Sequence, residues 1–238
     1  MSTPNFRFKR FTVWHDRCAM KVGTDGVLLG AWAEIPNANA RVLDIGTGSG
    51  LVALMLAQRF PKASIDAIDI DKAAVEQAGE NFAASPWSDK LHVYRSSLQY
   101  WLGHSYHLVV SNPPYFQNSL KNPDKGRQTA RHTDTLNYEE LLHHSAQSLT
   151  PDGRLALILP AEAEQEVRGL AAAELLSLAR VTRVYSKECK PARRVLLLFE
   201  KTEYRNPDIP VREDSLILED GQGGRSAAYQ ELTKDFYL

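Results

Sequence analysis

The sequence predicts an α/β fold with a doubly wound, mostly parallel sheet. Short apolar strands alternate with helical segments along most of the 238 residues, and this alternation is typical of βαβ units. A glycine cluster follows the first strand of the series, at the place where such folds bind ligands. No stretch approaches the roughly 18 consecutive apolar residues that span a bilayer. We therefore expect a globular core with right-handed crossovers and no contact with a membrane.

Each element is predicted from its apolar pattern and from the turn residues that flank it. The predicted strands cover 41–45, 64–69, 91–95, 107–111, 154–159, 180–185 and 194–199. The predicted helices cover 24–34, 51–59, 71–84, 137–149 and 161–178. We expect Thr24 and Asp71 to cap their helices, and a Pro-Asp-Gly turn at 151–153 to precede the strand that follows it.

Three regions are expected along the chain. Residues 1–23 form an N-terminal arm, residues 24–200 form the α/β domain, and residues 201–238 form a C-terminal appendage, a strand and a helix packed on the same domain. The arm has basic residues but no apolar core, so it does not resemble a signal peptide. Two cysteines are too few for a disulfide framework, which indicates a reducing compartment and a cytoplasmic protein.

The charge balance is close to neutral, with 28 Lys and Arg against 29 Asp and Glu and a formal net charge of −1. This balance argues against a protein that coats nucleic acid through bulk positive charge. The charge is unevenly spread, because the windows 7–21, 121–131 and 187–194 carry +4, +3 and +3. We expect these windows to flank the carboxyl ends of the strands or to lie on loops that can reach them, although a run of charge is also typical of solvated surface.

A glycine loop connects the first strand to its helix, where Asp44 is followed by Gly46, Gly48 and Gly50. The third glycine comes one residue earlier than in a dinucleotide-binding loop, and no Gly-Lys-Ser or Gly-Lys-Thr follows as in a Walker A loop. An acidic residue beside the loop repels a pyrophosphate but suits a ligand that carries an ammonium and a sulfonium. The alternative is a tight βα turn without a ligand.

Two further features place polar groups near this loop. Asp69 ends the second strand, 19 residues after Gly50, where a carboxylate can accept hydrogen bonds from ribose hydroxyls. Lys21 and Thr24 lie at the start of the first helix, whose N–H groups favour an anion such as a carboxylate. A simple helix cap explains the second feature equally well.

The segment 42–50 resembles the S-adenosylmethionine loop of the class I methyltransferases. The resemblance implies that the carboxylate after the second strand binds the adenosine ribose, and that the methionine end lies over the glycines. In that family an acidic or amide residue after the third strand usually binds the adenine amine. Here that register falls on Ser96 or Ser97, and a serine hydroxyl can still form a hydrogen bond to adenine.

A rigid tetrad, Asn112-Pro113-Pro114-Tyr115, follows the fourth strand. Each proline fixes φ and removes a donor, which leaves carbonyls of the loop available as acceptors. A planar amine must become more tetrahedral before its nitrogen attacks a methyl group. The Asn112 side-chain oxygen and the Pro113 carbonyl can accept the two amine hydrogens and aim the lone pair. Tyr115 and Phe116 offer faces on which a flipped-out base can stack. The alternative is a rigid turn that only ends a buried strand.

The tetrad resembles the Asn-Pro-Pro-Tyr motif of methyltransferases that modify planar nitrogens, either adenine N6 or glutamine side-chain amides. We expect S-adenosylmethionine as the cofactor and no metal, because the histidines and cysteines lack the spacing of metal ligands. The expected catalytic residues are Asn112, Pro113, Pro114 and Tyr115. The expected cofactor-binding residues are Lys21, Thr24, Asp44, Gly46, Thr47, Gly48, Gly50, Asp69, Ile70, Ser97 and Asn112. The expected substrate contacts are Phe116, Lys121, Arg127, Arg131, Arg193 and Arg194.

A longer resemblance covers nearly the whole chain. The stretch 11–32, the Ser85-Pro-Trp87 segment and the terminal residues 236–238, together with the tetrad, are similar to the bacterial tRNA adenine-N6 methyltransferases that act on a valine tRNA beside the anticodon. This resemblance implies transfer of a methyl group to the N6 amine of adenosine 37 in tRNA. It implies no stable protein partner.

Alternatives remain open at this point. The glutamine N5-methyltransferases of peptide release factors share both core motifs, but they usually carry a helical domain before the glycine loop, and few residues precede the loop here. A DNA adenine methyltransferase needs a target-recognition region for which the chain has little room. A non-catalytic RNA-binding or cofactor-sensing module is the alternative from another class, and the intact tetrad argues against it.

Overall fold

The computed structural model describes residues 4–114 and 136–238. Near the N-terminus, β1 (Asn5–Arg7) and β2 (Thr12–Trp14) form an antiparallel hairpin. The other strands of the described residues form one sheet: β3 (Arg41–Ile45), β4 (Ser64–Asp69), β5 (Leu91–Arg95), β6 (Tyr106–Ser111), β7 (Leu149–Pro160), β8 (Leu176–Tyr185), β9 (Arg194–Lys201) and β10 (Arg212–Ile217). The α-helices are α1 (Thr24–Trp32), α2 (Leu51–Arg59), α3 (Lys72–Ala83), α4 (Tyr138–Ser148), α5 (Glu164–Ala173) and α6 (Ala227–Thr233).

The central sheet has the strand order β10-β8-β9-β7-β6-β3-β4-β5. The strands from β3 to β7 pair in parallel. β9 is antiparallel to both β7 and β8, so β8 runs in the same direction as β7. The strands β3 to β8 therefore all end at one edge of the sheet, which we call the carboxyl edge; the opposite edge is the amino edge.

Apolar side chains cover both faces of the sheet. Along β3, Val42 belongs to a core shared with α1, α2 and α3, whereas Leu43 belongs to a second core shared with α4 and α5. Successive strand residues face opposite sides, so one short strand contributes to both cores. The predicted doubly wound, mostly parallel sheet is confirmed. None of the helices within the described ranges is long and apolar enough to cross a membrane.

The two predicted helix caps have different outcomes. Asp71 caps α3 as expected, because its side chain accepts a hydrogen bond from the N–H of Ala73 at 2.9 Å. In α1 the N-cap position is held by Gly23 in an extended conformation, and Thr24 is the first helical residue. The prediction that Thr24 caps α1 is therefore wrong. Because glycine has no side chain to accept a hydrogen bond, the first N–H groups of α1 have no capping side chain at the N-cap position.

The predicted turn at 151–153 is wrong, since these residues lie inside β7. β6 and β7 pair with a register shift between Tyr106 and Leu108. The Thr150 hydroxyl donates to the Tyr106 carbonyl across this irregularity at 3.2 Å. The pairs Tyr106–Leu149 and Leu108–Arg154 leave residues 150–153 as a bulge within β7, and the local turn signal does not contain this strand pairing.

The predicted helix over 161–178 is too long. A 3-10 turn (Ala161–Ala163) leads into α5, which ends at Ala173, and Leu175 has a positive φ of 57°. β8 begins at the next residue because the Leu176 side chain is buried in the second core. Tertiary burial overrides a locally helical pattern at this point.

The two ends of the chain pack against each other beside the first core. The N–H of Lys9 donates to the carbonyl of Phe236 at 2.8 Å, and the rings of Phe8 and Tyr237 stack with centroids 5.9 Å apart. β10 extends the sheet beside β8 and α6 follows it, so the strand and the helix expected in 201–238 are confirmed. The boundaries of the three expected regions stay a prediction.

Candidate active site

A cavity of about 610 Å³ opens at the carboxyl edge. Its walls come from the ends of β3, β4 and β6, from the start of α1 and from arm residues that follow β2. Of the residues expected to bind a cofactor, all but Gly50 lie on these walls: Lys21, Thr24, Asp44, Gly46, Thr47, Gly48, Asp69, Ile70, Ser97 and Asn112.

The glycine loop bends back over the end of β4 and faces the cavity. The N–H groups of Gly46 and Thr47 both donate to the carbonyl of Ile68, at 2.9 and 3.1 Å. Gly46 and Gly48 have φ values of +68° and +56°, which glycine adopts without steric penalty. A Cβ atom at either position would meet no described heavy atom within 4 Å. A ligand can therefore approach the loop backbone closely.

Gly50 has a packing role instead. Its φ is +81°, and a Cβ atom built on it would lie 2.4 Å from the Cε1 atom of Phe82. Phe82 belongs to α3, so the missing side chain of Gly50 lets the start of α2 approach this helix. This contact is a second reason for glycine in the loop, and sequence reasoning did not include it.

Asp69 lies beside the glycine loop at the end of β4. Its Oδ2 atom accepts from the N–H of Gly48 and its Oδ1 atom accepts from the N–H of Asp71, both at 2.9 Å. Each carboxylate oxygen has a second lone-pair site for a further donor. The carboxylate therefore holds the loop in place and can still accept hydrogen bonds from ligand hydroxyls.

Asp44 is buried behind the loop, with 2% of its surface exposed. The Thr47 hydroxyl donates to its Oδ2 atom at 2.7 Å. Burial raises the pKa of the Asp44 carboxyl to about 7, and the nearby charge of Asp69 adds to the rise, whereas hydrogen bonds from Thr47 and from the Ala53 backbone oppose it. Burial disfavours the charged carboxylate, whereas a positively charged ligand in the cavity would stabilise it by attraction between opposite charges.

The end of β6 carries Asn112 to the cavity wall. β6 pairs with β3, and the buried Ser111 hydroxyl donates to the carbonyl of Ile45 at 3.0 Å. This hydrogen bond ties the start of the tetrad to the start of the glycine loop. The Oδ1 atom of Asn112 is buried and has no hydrogen-bond partner among the described residues. Pro113 is buried and Pro114 exposed, and both line the cavity.

Ser97 carries a second buried oxygen atom of this kind. Its Oγ atom has no hydrogen-bond partner in the described part of the chain, and the residue lines the cavity. The hydroxyl of Ser96, in contrast, already donates to the Ser97 carbonyl at 3.0 Å. Of the two serines that the sequence left open, Ser97 is therefore the one whose hydroxyl has no hydrogen-bond partner within the described residues.

The uncapped start of α1 lies on the same cavity, together with Lys21 from the arm. Asp25, in the first turn of this helix, forms an ion pair with Arg194, with 2.9 Å between Oδ2 and Nε. Both side chains are largely buried. The expected contact between Arg194 and a substrate stays a prediction, and the ion pair shows that this side chain already joins β9 to α1.

The N-terminal arm forms a wall that sequence reasoning missed. Residues 18–20 line the cavity, and a buried amide of α3 holds the arm in place. The Asn81 Nδ2 atom donates to the carbonyls of Trp14 and Ser49 at 2.8 Å each, and its Oδ1 atom accepts from the N–H of Trp14 at 2.9 Å. An asparagine in the apolar face of an amphipathic helix is the signal that could have indicated this contact.

The basic windows do not all lie at the carboxyl edge. The window 187–194 does, because it joins the end of β8 to the start of β9. The window 7–21 is split: Lys21 lines the cavity, but the Arg10 guanidinium lies 5.2 Å from the ring centroid of Trp87, near the amino edge. The expectation is therefore wrong for the beginning of this window. The remaining predicted residues lie outside the described ones: Tyr115, Phe116, Lys121, Arg127 and Arg131.

Known proteins match this chain over its full length. The family described as the methyltransferase small domain matches residues 24–171. A protein of Parabacteroides distasonis named tRNA1(Val) (adenine(37)-N6)-methyltransferase is 47% identical over 241 residues, covering 100% of this chain and 99% of the relative. A protein of the same name from Edwardsiella ictaluri is 44% identical and covers 98% and 93%. The chain belongs to this methyltransferase family.

Solved structures agree with the fold of the family. A predicted O-methyltransferase from Agrobacterium tumefaciens has a TM-score of 0.67 at 19% identity, covering 89% of this chain and 96% of that one. A TehB-like S-adenosylmethionine-dependent methyltransferase from Corynebacterium glutamicum has a TM-score of 0.50 at 18% identity, covering 77% and 90%. At such low identity these likenesses show the fold alone.

S-adenosylmethionine is the cofactor that membership of this methyltransferase family implies, and the cavity fits it. The open side of the glycines leaves room for the methionine end. The Asp69 carboxylate can accept from ribose hydroxyls, and the buried Ser97 hydroxyl lacks a partner that an adenine edge can supply. These groups surround one cavity, so a single ligand can satisfy them together.

Proposed function

We propose that this chain transfers a methyl group from S-adenosylmethionine to the N6 amine of adenosine 37 in a valine tRNA. The relatives that match the whole chain carry this activity in their names. The observation that carries the proposal is the Oδ1 atom of Asn112, which is buried, has no partner in the described residues and belongs to a residue that lines the cofactor cavity. A buried acceptor without a donor is unfavourable, and an exocyclic amine supplies two donors.

The residues of this chain position the amine rather than react with it. The Asn112 oxygen and the Pro113 carbonyl accept the two N–H groups, which turns the nitrogen lone pair toward the cavity. The bound cofactor supplies a methyl group on a positively charged sulfur. The amine nitrogen forms its bond to the methyl carbon as the carbon–sulfur bond breaks, and the electron pair of that bond stays on sulfur. The amine then loses one proton to solvent, so no strong base is required.

The other residues of the cavity bind and orient the two substrates. We assign the ribose hydroxyls of the cofactor to Asp69, its adenine to Ser97, and its carboxylate to the uncapped start of α1 with Lys21. Tyr115 and Phe116, which lie outside the described residues, are assigned to stacking on the flipped-out base. The hydrogen bond from Ser111 to Ile45 supports this arrangement by keeping the amine-binding and cofactor-binding loops side by side.

The proposed function also indicates where in the cell the protein works. A tRNA substrate and two unpaired cysteines fit a protein that works in the cytoplasm. The expected substrate contacts in the windows 121–131 and 187–194 belong to the same proposal, and the second of these windows lies at the carboxyl edge beside the cavity.

Incubation with methyl-labelled cofactor tests the proposed function. The chain is mixed with a valine tRNA transcript, with the same transcript carrying guanosine at position 37, and with purified release factors. We expect label only in the first transcript, as N6-methyladenosine after digestion to nucleosides. Label in a release factor instead of RNA would assign the chain to glutamine methylation, and label in both transcripts would move the target to another nucleotide.

A further inference from the structure

Beside the cavity lies an exposed aromatic surface that cofactor binding does not explain. We call it the aromatic patch, formed by Tyr94, Tyr100, Trp101 and His104. Tyr100 is 84% exposed and Tyr94 is 42% exposed. The Trp101 ring stacks on His104 with centroids 4.6 Å apart and planes 14° apart, and lies 5.0 Å from the Tyr94 ring. The rings of Tyr94, Trp101 and His104 therefore pack against each other, whereas the Tyr100 side chain, next to Trp101 in the sequence, faces solvent.

The aromatic patch begins where the cavity wall ends. Ser97, Leu98 and Gln99 line the cavity, and the 3-10 helix Leu98–Tyr100 ends with Tyr100. The patch continues to Tyr94 in β5, the outermost strand on this side of the sheet. A polymer that places one unit in the cavity can therefore place a neighbouring unit on these rings.

The charge around the patch favours an anionic partner. Residues 90–107 contain no Asp or Glu. The same stretch contributes Arg95 and the histidines His92, His104 and His107, whereas Lys90 forms an ion pair with Asp89. Exposed aromatic rings beside a cation and histidines are typical of sites for single-stranded nucleic acid.

Packing explains only part of this surface. Trp101 is half-buried against the second core and its Nε1 atom donates to the Tyr106 hydroxyl at 2.9 Å. Trp101 therefore has a packing role in covering the second core. Packing does not explain Tyr100, because a residue that is 84% exposed covers little of the core.

We propose that the aromatic patch is a stacking platform for unpaired nucleotides of the substrate RNA next to the target adenosine. The inference rests on the proposed function, which requires the adenosine to leave its stack and enter the cavity. Flipping a base exposes the faces of its neighbours, and the Tyr100 ring offers such a neighbour a new face. Stacking of this kind tolerates any base, so the platform adds affinity without reading sequence.

Binding of a labelled anticodon stem–loop of valine tRNA to the full chain tests the platform, with fluorescence anisotropy as the readout. Tyr100→Ala is expected to raise the Kd about tenfold, the effect of losing one stacked base. Tyr100→Phe is expected to bind like the wild type, because stacking requires the ring and not the hydroxyl. The matched control is Tyr204→Ala, which removes a 54% exposed tyrosine from the end of another 3-10 helix, Thr202–Tyr204, at the amino edge.

Several outcomes would overturn the platform. One is an unchanged Kd in Tyr100→Ala, and another is an equal loss in Tyr204→Ala. Calorimetry checks that Tyr100→Ala is folded, because its Kd for S-adenosylmethionine should equal that of the wild type. A dimer that Tyr100→Ala dissociates in light scattering, without any change in RNA affinity, would assign the patch to self-association. If the wild type methylates the tRNA but Tyr100→Ala binds it normally, only the platform fails; if the wild type methylates no RNA, the proposed function fails.

Discussion

Asn112 and Ser97 each keep a buried oxygen atom without a hydrogen-bond partner in the described part of the chain. Such an atom costs about 1–3 kcal/mol of stability until a ligand satisfies it. Both residues line one cavity, whereas the hydroxyls of their neighbours Ser111 and Ser96 already donate hydrogen bonds within the protein. At the level of single residues, the site therefore combines two oxygen atoms without hydrogen-bond partners with adjacent serines whose hydrogen bonds are already formed.

Asn112→Ala is expected to lower the rate of methyl transfer at least about 1000-fold, because it removes a group that positions and stabilises the reacting amine. The Kd of S-adenosylmethionine should stay within severalfold of the wild type, as measured by calorimetry. Asn206→Ala, in an exposed segment near the amino edge, is the control. Normal turnover in Asn112→Ala would remove the assigned role.

Asp69→Asn is expected to weaken cofactor binding about tenfold. The substitution removes the negative charge and replaces one of the two carboxylate oxygens, a hydrogen-bond acceptor, with an amide group that only donates. Calorimetry gives the Kd directly. The matched control is Asp71→Asn, which loses the same charge two residues later while asparagine still caps α3. Equal losses in the two variants would show that net charge, rather than the ribose contact, sets the affinity.

The buried carboxyl of Asp44 makes the stability of the cofactor-free chain depend on pH. Burial raises its pKa from 3.8 to about 7, so between these values the folded chain keeps a proton that the unfolded chain has lost. The free energy of unfolding therefore falls as the pH rises toward 7. Asp44→Asn removes this dependence, and its Tm relative to the wild type should rise between pH 5 and pH 8, by the equivalent of about 2–3 kcal/mol. A difference that does not vary with pH would contradict this account.

At the scale of elements, α3 organises the site although none of its residues was predicted there. Asn81 ties the arm and the glycine loop to this helix. Phe82, the next residue, fills the space that Gly50 leaves open. The strands and the loop could be predicted from apolar runs and glycine spacing, but these two contacts join segments more than 30 residues apart, and a local pattern does not contain them.

The close approach of Gly50 to Phe82 can be measured with a matched pair of glycines. Gly50 and Gly221 both have φ +81°, but a Cβ atom on Gly221 would meet no described atom within 4 Å. Gly221→Ala should lower the free energy of unfolding by about 1–2 kcal/mol, the penalty for the left-handed conformation alone. Gly50→Ala should lower it by about 1–3 kcal/mol more, because the new methyl group collides with Phe82. Thermal unfolding of both variants gives the difference, and equal changes would contradict the collision.

At the scale of the whole molecule, the net charge of −1 is an average over a polarised chain. The loop over 187–194 brings its cations to the carboxyl edge, beside the cavity. The beginning of the window 7–21 lies elsewhere, because the hairpin of β1 and β2 packs with the C-terminal residues. Sequence windows alone do not show which cations share a surface.

Arg193→Gln is expected to weaken binding of valine tRNA severalfold and to reduce the slope of log Kd against log salt by about 1, as for one lost phosphate contact. The control is Arg212→Gln, which removes an exposed arginine at the amino edge. Binding of labelled tRNA over a series of KCl concentrations gives both slopes. If the two variants had equal slopes, the RNA would not be confined to the carboxyl edge.

The sheet, the glycine loop, the tetrad and the family could be predicted from the sequence, because apolar alternation and short motifs are local properties of the chain. Three features could not be predicted in this way: α1 starts uncapped, 161–178 divides into a helix and a strand, and the buried Ser97 hydroxyl has no partner in the described residues. The physical reason is the same in each case. Each feature depends on which side chains are buried together, and this burial is set by contacts between segments that are far apart in the sequence.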